Sequence, residues 1–484
     1  LCGTGKCYAF NFIRAGSFLG SEGVMKRLLK RYLSKRRVLL VILDVLMLSA
    51  AVVFAAVVWL GDPQYVVEYH KQIILVIGIQ VLCMYINNLY DIHRDYAGHR
   101  LFWSIAISIG AALAVSLVLF FAVPPLKIPS RPIFFLSGMC AVGCAYAGRV
   151  VYGKLFLRRF RRRLLVIGMG ALTGKFLELC RAGKCGIYEI AGIVTVGEGA
   201  TSFSPGIDAG VWGESKDIGR IVADSGIDII AVGVRKMPQD MVRSLIPCMQ
   251  AGCEIVSLED LYENLSGCVP YYVLDEEWFL YAHIGQRGLY LRFFKPLIER
   301  SIAFVLLVLL LPVVILIALL TKVSDGGSVF FRQERVGFLG RKFNMVKFRT
   351  MRPDAEKHSG PVWASPDDPR VTPLGKILRK ARLDEIPQLW NVLCGEMAFV
   401  GPRPEREHFV EKFKEMIPFY GYRLTVLPGI TGWAQIRCPY DTSIESVREK
   451  LAYDLYYIKH CSPPFDVAII LRTIRVLLTG EGSR

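Results

Sequence analysis

Arg379-Lys-Ala-Arg-Leu-Asp-Glu-Ile-Pro-Gln-Leu-Trp-Asn391, followed by Gly401-Pro-Arg-Pro404, sets two adjacent carboxylates, Asp384 and Glu385, between a basic helix and the start of another. Upstream, Leu374, Ile377, Leu378 and Ala381 recur at helical spacing, while Lys376, Arg379, Lys380 and Arg382 supply positive charge. Asp384 is expected to N-cap the segment through Leu389 and Trp390, with Pro387 confined to its first turn. A carboxylate in that position meets unpaired backbone N–H groups and cations, a setting that also attracts phosphate. Phosphoryl chemistry explains such a cluster better than packing does.

Outward from this stretch, composition limits the alternatives. The 484 residues are 53% hydrophobic and carry a net charge of +17, with basic residues crowded beside apolar runs. This pattern fits a membrane protein that meets anionic lipid headgroups or phosphorylated substrates. No basic motif is interleaved with aromatics, so no nucleic-acid partner is expected. The thirteen cysteines form no CxxC pair or Cys/His zinc spacing and are expected to be reduced or buried thiols. No G-x-S-x-G turn occurs, and the seven histidines are dispersed.

Residues 1–37 form a basic tail, and four apolar segments follow within residues 38–152, at about 38–60, 72–89, 101–123 and 132–152. Positive charge gathers before the first, between the second and third, and after the fourth, which places both ends of a four-span bundle in the cytoplasm. Asp44 lies inside the first span, where it is costly unless paired or turned to the interior.

From Arg163 the pattern changes to short β-rich runs alternating with helices, the mark of a Rossmann-like, doubly wound α/β module over residues 162–270. Its Gly168-Met-Gly-Ala-Leu-Thr-Gly174 turn is similar to a dinucleotide-binding one, yet no acidic residue ends the second strand to hold a ribose. A scaffold for oligomerisation or regulation is expected, without nicotinamide chemistry.

A fifth apolar segment, 297–320, is long enough to span, but Pro312 sits near its middle and both flanks are basic. A re-entrant helix kinked at Pro312 fits these features, and it leaves the polar, basic remainder in the cytoplasm. Residues 465–478, after Pro463 and Pro464, are amphipathic and suited to the membrane interface.

With these residues in view, positions 290–484 resemble the bacterial sugar transferase family, the monotopic polyprenyl-phosphate sugar-1-phosphate transferases. The matching blocks are Lys347-Phe-Arg-Thr-Met351, Asp368-Pro-Arg-Val-Thr372, Leu383-Asp-Glu-Ile-Pro-Gln-Leu-Trp-Asn391, Gly401-Pro-Arg-Pro404, Pro428-Gly-Ile-Thr-Gly-Trp-Ala-Gln435 and Asp454-Leu-Tyr-Tyr457. Beyond Gln435 the sequence Ile-Arg-Cys-Pro-Tyr440 departs from the commoner continuation, at the place where donor-sugar contacts would be sought.

The resemblance implies a bacterial inner-membrane enzyme with a mainly α catalytic domain, a UDP-sugar donor and a polyprenyl (undecaprenyl) phosphate acceptor. Asp384 would be the covalent nucleophile, with Glu385 beside it and Mg2+ held by the pair. Lys347, Arg349, Arg379, Arg403 and Arg437 are candidates for phosphate and nucleotide contacts, since cations neutralise a diphosphate as it reacts. A homodimer and contact with anionic lipids are also expected. A membrane-bound nucleotide-sugar dehydratase is one alternative, but its Tyr-x-x-x-Lys pair is missing from the chain. A non-enzymatic, nucleotide-sensing regulator is the other, and it would leave the Asp384 blocks without purpose.

Overall fold

A computed structural model describes residues 35–61, 64–87, 89–90, 99–123, 130–154, 161–183, 185, 187–196, 210–214, 217–234, 237–271, 274–281, 289–352, 370–438 and 443–479. Most of the N-terminal tail and Asp368 lie outside these residues. The chain divides into two compact units, Leu1–Leu261 and Tyr262–Arg484. Residues just past the division bond within the second unit: Lys459 Nζ pairs with Glu263 at 2.9 Å, and Trp433 Nε1 donates to the Gly267 carbonyl at 2.7 Å.

The first unit contains a helical bundle of α1 (Lys35–Leu60), α2 (His70–Ile86), α3 (His99–Ala122) and α4 (Arg131–Tyr152). Three of them are long and apolar enough to cross a bilayer, whereas α2 has only 17 residues. At 1.5 Å per residue α2 covers about 26 Å, less than the ~30 Å hydrocarbon core. The expectation of four full spans is therefore met at three positions, because α2 ends at Ile86 instead of continuing to Leu89. Helices α1 and α4 pack closely, and Gly138, Ala141, Ala145 and Gly148 line the buried side of α4. Small residues let helix backbones approach in lipid.

Asp44 has a partner that the sequence reading did not assign. Arg149 Nη2 reaches its Oδ2 at 2.6 Å, both side chains are fully buried, and the same guanidinium donates to the Leu89 carbonyl. Removing one partner strands a charge in a dry bundle, at a cost of about 3–5 kcal/mol. Arg149→Met should therefore lower the unfolding midpoint of detergent-solubilised protein sharply, and Asp44→Leu with Arg149→Met should recover most of the loss. An Arg149→Met protein as stable as its parent would overturn this assignment.

The same unit holds a five-stranded, all-parallel sheet in the order β3-β2-β1-β4-β5. Its strands are β1 (Arg162–Ile167), β2 (Tyr188–Thr195), β3 (Val211–Glu214), β4 (Ile229–Val232) and β5 (Glu254–Ser257). Strand β4 and the last four residues of β1, Leu164–Ile167, are buried runs of Leu, Val, Ile and Ala, as parallel sheets require. Helices α5 (Ala171–Arg181), α6 (Ile218–Ser225) and α7 (Gln239–Gln250) alternate with them, and Ile218, Ile221, Val222, Met241 and Leu245 join the sheet core. One cysteine expectation fails here. Cys180 and Cys185 are joined as a disulfide with Cα atoms 4.6 Å apart, because the turn that closes α5 brings them together.

The second unit is built on α8 (Lys295–Asp325), which carries Pro312 inside it. The helix neither ends nor reverses at the proline, which corrects the expectation of a re-entrant turn there: loss of one ladder bond leaves the others in place. The antiparallel hairpin β6 (Phe330–Val336) and β7 (Lys342–Phe348) packs on both halves of α8. Ala303 shares a core with Phe343 and Met345, and Ile317 shares one with Phe348 and Leu378. Helices α9 (Pro373–Lys380) and α10 (Gln388–Cys394) follow, then β8 (Ala398–Val400), α11 (Glu407–Met416), β9 (Gly429–Thr431), α12 (Trp433–Arg437), α13 (Ile444–His460) and α14 (Pro463–Thr479). Strands β8 and β9 pair in parallel and lead the chain into the loop at Gly401.

Candidate active site

Three stretches far apart in sequence converge on the carboxylate pair. Thr372 caps α9 by accepting from the Gly375 N–H at 3.0 Å. Gly375 must be glycine, because a Cβ there would lie 2.2 Å from the Thr350 carbonyl oxygen. After α9 the backbone turns at Arg382, whose φ of 52° is left-handed. This costs a non-glycine residue roughly 1–2 kcal/mol and redirects the chain into a 3-10 turn, Leu383–Glu385. Asp384 therefore sits inside a turn, while Pro387 occupies the N-cap of α10, which corrects the capping expectation. In the preceding helix, Leu378 is buried but Ile377 is 65% exposed, so the expected apolar face is only partly inward.

Glu385 is the centre of charge. Its Oε1 meets Lys347 Nζ and Arg403 Nη2, each at 3.2 Å, and Arg382 Nη1 lies 3.9 Å from Oε2. Burial alone would raise its pKa, but Lys347, Arg403 and Arg382 outweigh burial and hold it down at about 2. Lys347, on β7, moves down as well, because its burial exceeds the pull of Glu385. Asp384 behaves in the opposite way. Burial pushes its carboxyl up, the neighbouring Glu385 charge adds to this, and Lys347 and Arg379 only partly compensate. Among the described residues, Asp384 makes no ion pair.

The other sequence candidates divide between the site and its frame. Arg379 Nε donates to Thr350 Oγ1 at 2.9 Å and contributes to the field at Asp384. Arg349 is buried, with Nε on the Ser328 carbonyl at 2.6 Å, a contact that serves the frame. Arg403 also reaches Gln435 Oε1 at 3.4 Å. Arg437 instead stacks its guanidinium 4.5 Å over the Trp433 ring.

One residue of the opening stretch has a role that sequence reasoning missed. Asn391 is buried and uses both ends of its amide: Oδ1 accepts from the Val346 N–H at 3.1 Å, and Nδ2 donates to the Asn344 carbonyl at 2.8 Å. These bonds tie α10 to the strand that carries Lys347. A lone asparagine in an apolar run was the available signal.

Comparison with known proteins agrees with this geometry. A family model described as "Bacterial sugar transferase" matches residues 290–480. An exopolysaccharide production protein, ExoY, of Sinorhizobium fredii is 38% identical over 203 residues, covering 39% of this chain and 87% of that protein. The chain belongs to the bacterial sugar transferase family. A UDP-N-acetylgalactosamine-undecaprenyl-phosphate N-acetylgalactosaminephosphotransferase of Aeromonas hydrophila is 40% identical over 247 residues, covering 50% of this chain and 56% of that protein, little more than half its length. A UDP-galactose-lipid carrier transferase of Erwinia amylovora is 27% identical over 451 residues, covering 87% of this chain and 90% of that protein.

The raised pKa of Asp384 has a consequence for stability. Its ionised form is disfavoured in the folded state, so the fold carries a penalty at neutral pH that disappears as acid protonates the group. Asp384→Asn should be more stable than the parent at pH 7, by roughly 2–4 °C for each kcal/mol relieved. The gain should shrink towards pH 4. A melting-temperature difference that is absent at pH 7, or grows on acidification, would contradict the desolvation argument.

Proposed function

We propose that this protein transfers a sugar 1-phosphate from a UDP-sugar to a polyprenyl (undecaprenyl) phosphate through a covalent intermediate on Asp384. The observation that carries this reading is the contrast within the carboxylate pair: Glu385 is neutralised by three cations, whereas Asp384 is buried beside them without an ion pair among the described residues. Asp384 attacks the β-phosphorus of the donor, the bond from that phosphorus to the bridging oxygen breaks, and UMP leaves. An oxygen of the polyprenyl phosphate then attacks the same phosphorus. The acyl-phosphate bond breaks, Asp384 is regenerated, and a polyprenyl-diphosphate-sugar is released.

Lys347, Arg379 and Arg403 surround the pair and are suited to diphosphate oxygens. Arg437 lies on Trp433 and is better suited to a more distal part of the donor. The related Aeromonas and Erwinia proteins carry names that specify UDP-sugar or lipid-carrier transfer, which supports the same reaction class here. Neither the dehydratase nor the regulator reading is favoured by those relatives.

Mg2+ fits the pair in a restricted way. Magnesium is commonly held by one or two carboxylates together with substrate phosphates, and a buried carboxylate without an ion pair, as at Asp384, suits such a cation. Glu385 would share its oxygens with Lys347 and Arg403. When bound, the metal would offset negative charge on the diphosphate. Among the described residues there is no group of three or more His, Cys, Asp or Glu side chains placed to hold a metal without substrate.

A cytoplasmic placement of the catalytic unit is supported by the basic residues that flank α8 on both sides, Arg292 and Lys295 before its apolar run and Lys322, Arg332 and Arg335 after it. Ala303 and Ile317, both inside the helix, rest on one hairpin, and only about a tenth of its apolar window is buried, which leaves most of that window free for lipid. The basic clusters support an inner-membrane setting with anionic lipid, and the parallel sheet supports a Rossmann-like module for regulation or homodimer assembly. Cysteines introduced at Arg292 and Lys322 should both be labelled from the cytoplasmic side. Labelling at position 322 from outside alone would refute this topology.

The reaction is tested by incubation with a UDP-sugar labelled in its β-phosphate, without lipid acceptor, followed by peptide mapping. Label is expected on Asp384. Asp384→Asn should abolish UMP release while inserting and folding normally. Arg403→Lys should be intermediate, losing roughly 1–3 kcal/mol of charged hydrogen bonding. Chelation of Mg2+ should stop the parent enzyme. Label on another residue, or near-normal turnover by the Asn variant, would refute the covalent assignment.

A further inference from the structure

The loop that presents Arg403 is held at both ends by buried cations outside the carboxylate cluster. Lys295, the first residue of α8, donates from Nζ to the Val400 carbonyl at 2.8 Å, to Tyr457 Oη at 2.6 Å and to Asp466 Oδ2 at 2.7 Å. All three of its donors are thereby used. Tyr457 Oη lies 3.0 Å from the same Val400 carbonyl and 2.8 Å from Asp466 Oδ1, and Tyr290 donates to Asp466 Oδ2 at 2.7 Å.

At the other end, Arg423 donates to the Arg403 carbonyl at 3.0 Å. It is anchored by Asp454 Oδ2, 3.2 Å from Nε, and by Tyr420 Oη, 2.6 Å from Nη1. Lys295, Asp466, Arg423 and Asp454 are all buried. Between the two anchors, Gly401 N–H donates to the Thr431 carbonyl and the Pro402 carbonyl accepts from Gly429 N–H, both at 2.9 Å.

A loop carbonyl can be satisfied by an amide or by water at little cost. Burying a full charge for the purpose is costly unless the geometry is well supplied with partners. Two such clusters bracket one four-residue segment, and the segment's side chain of consequence is Arg403, 3.2 Å from Glu385.

From this we infer that Lys295 and Arg423, each with its carboxylate and tyrosine, are positioning residues. They lock the backbone of residues 400–403 so that Arg403 is pre-aimed at Glu385 and the donor phosphates. The first turn of the membrane-embedded helix thereby becomes part of the catalytic frame. The catalytic part of this inference rests on the role given to Arg403 above, whereas the mechanical part does not.

The test pairs a double-mutant cycle with backbone hydrogen exchange on the full chain in detergent. Lys295→Met, and the milder Tyr457→Phe should the first not fold, are combined with Arg403→Ala. Alone, Tyr457→Phe should lower kcat for UMP release by about 10-fold. In the Arg403→Ala background it should change kcat by less than about 2-fold, since residues acting through one another are not additive. Exchange at the Gly401 and Arg403 amides should quicken in Tyr457→Phe without any substrate present.

Full additivity of the two substitutions, or unchanged exchange at those amides, would overturn the positioning role. If Arg403→Ala leaves UMP release unaltered, the role given to Arg403 in the reaction fails instead, and the exchange measurement still judges the mechanical claim.

Discussion

The Glu385 ion cluster is the constraint on which the catalytic unit depends. One carboxylate joins Lys347 from a hairpin strand, Arg382 from the turn and Arg403 from a distant loop. Like-charged side chains would separate these segments if Glu385 were absent. Its presence fixes the cations in place before any phosphate arrives, so little reorganisation remains for the reaction to supply. It also leaves Asp384 in a field only partly offset by cations, which is why the two neighbours titrate in opposite directions. The difference arises from where the cations stand, not from the residues' own chemistry.

Much of this was legible in the chain. Apolar length marked α1, α3, α4 and α8, and β-branched runs marked β1, β2, β4 and β5. The acidic pair and its basic surroundings marked the site. Strand β3 was missed because Val-Trp-Gly-Glu is short, includes a glycine and has little burial alternation, so no period of two emerges. The N-cap assignment of Asp384 failed because a left-handed arginine ends the preceding helix, a conformation that sequence rules reserve for Gly or Asn. The Asp44–Arg149 pair and the clamps at Lys295 and Arg423 join positions far apart in sequence. Local patterns cannot report them.

The Gly401 loop shows how a site can be built almost entirely from backbone. A Cβ on Gly401 would stand 2.3 Å from the Leu427 carbonyl oxygen, and one on Gly432 would stand 2.2 Å from that of Gly401. Strands β8 and β9 consequently approach at main-chain distance. Any side chain at either position would push the loop outward and take Arg403 with it. The glycines and the buried cations solve the same problem by different means: the former allow close approach and the latter hold it.

The buried pair in the bundle also bears on how the chain enters its membrane. Asp44 and Arg149 are separated by 105 residues, so ribosomal synthesis delivers the acid long before the base. Throughout that interval the first helix holds a carboxyl group with no counter-charge in hydrocarbon, where isolated acids are unstable. The first helix thus reaches its charge-paired state only once the fourth helix has been made.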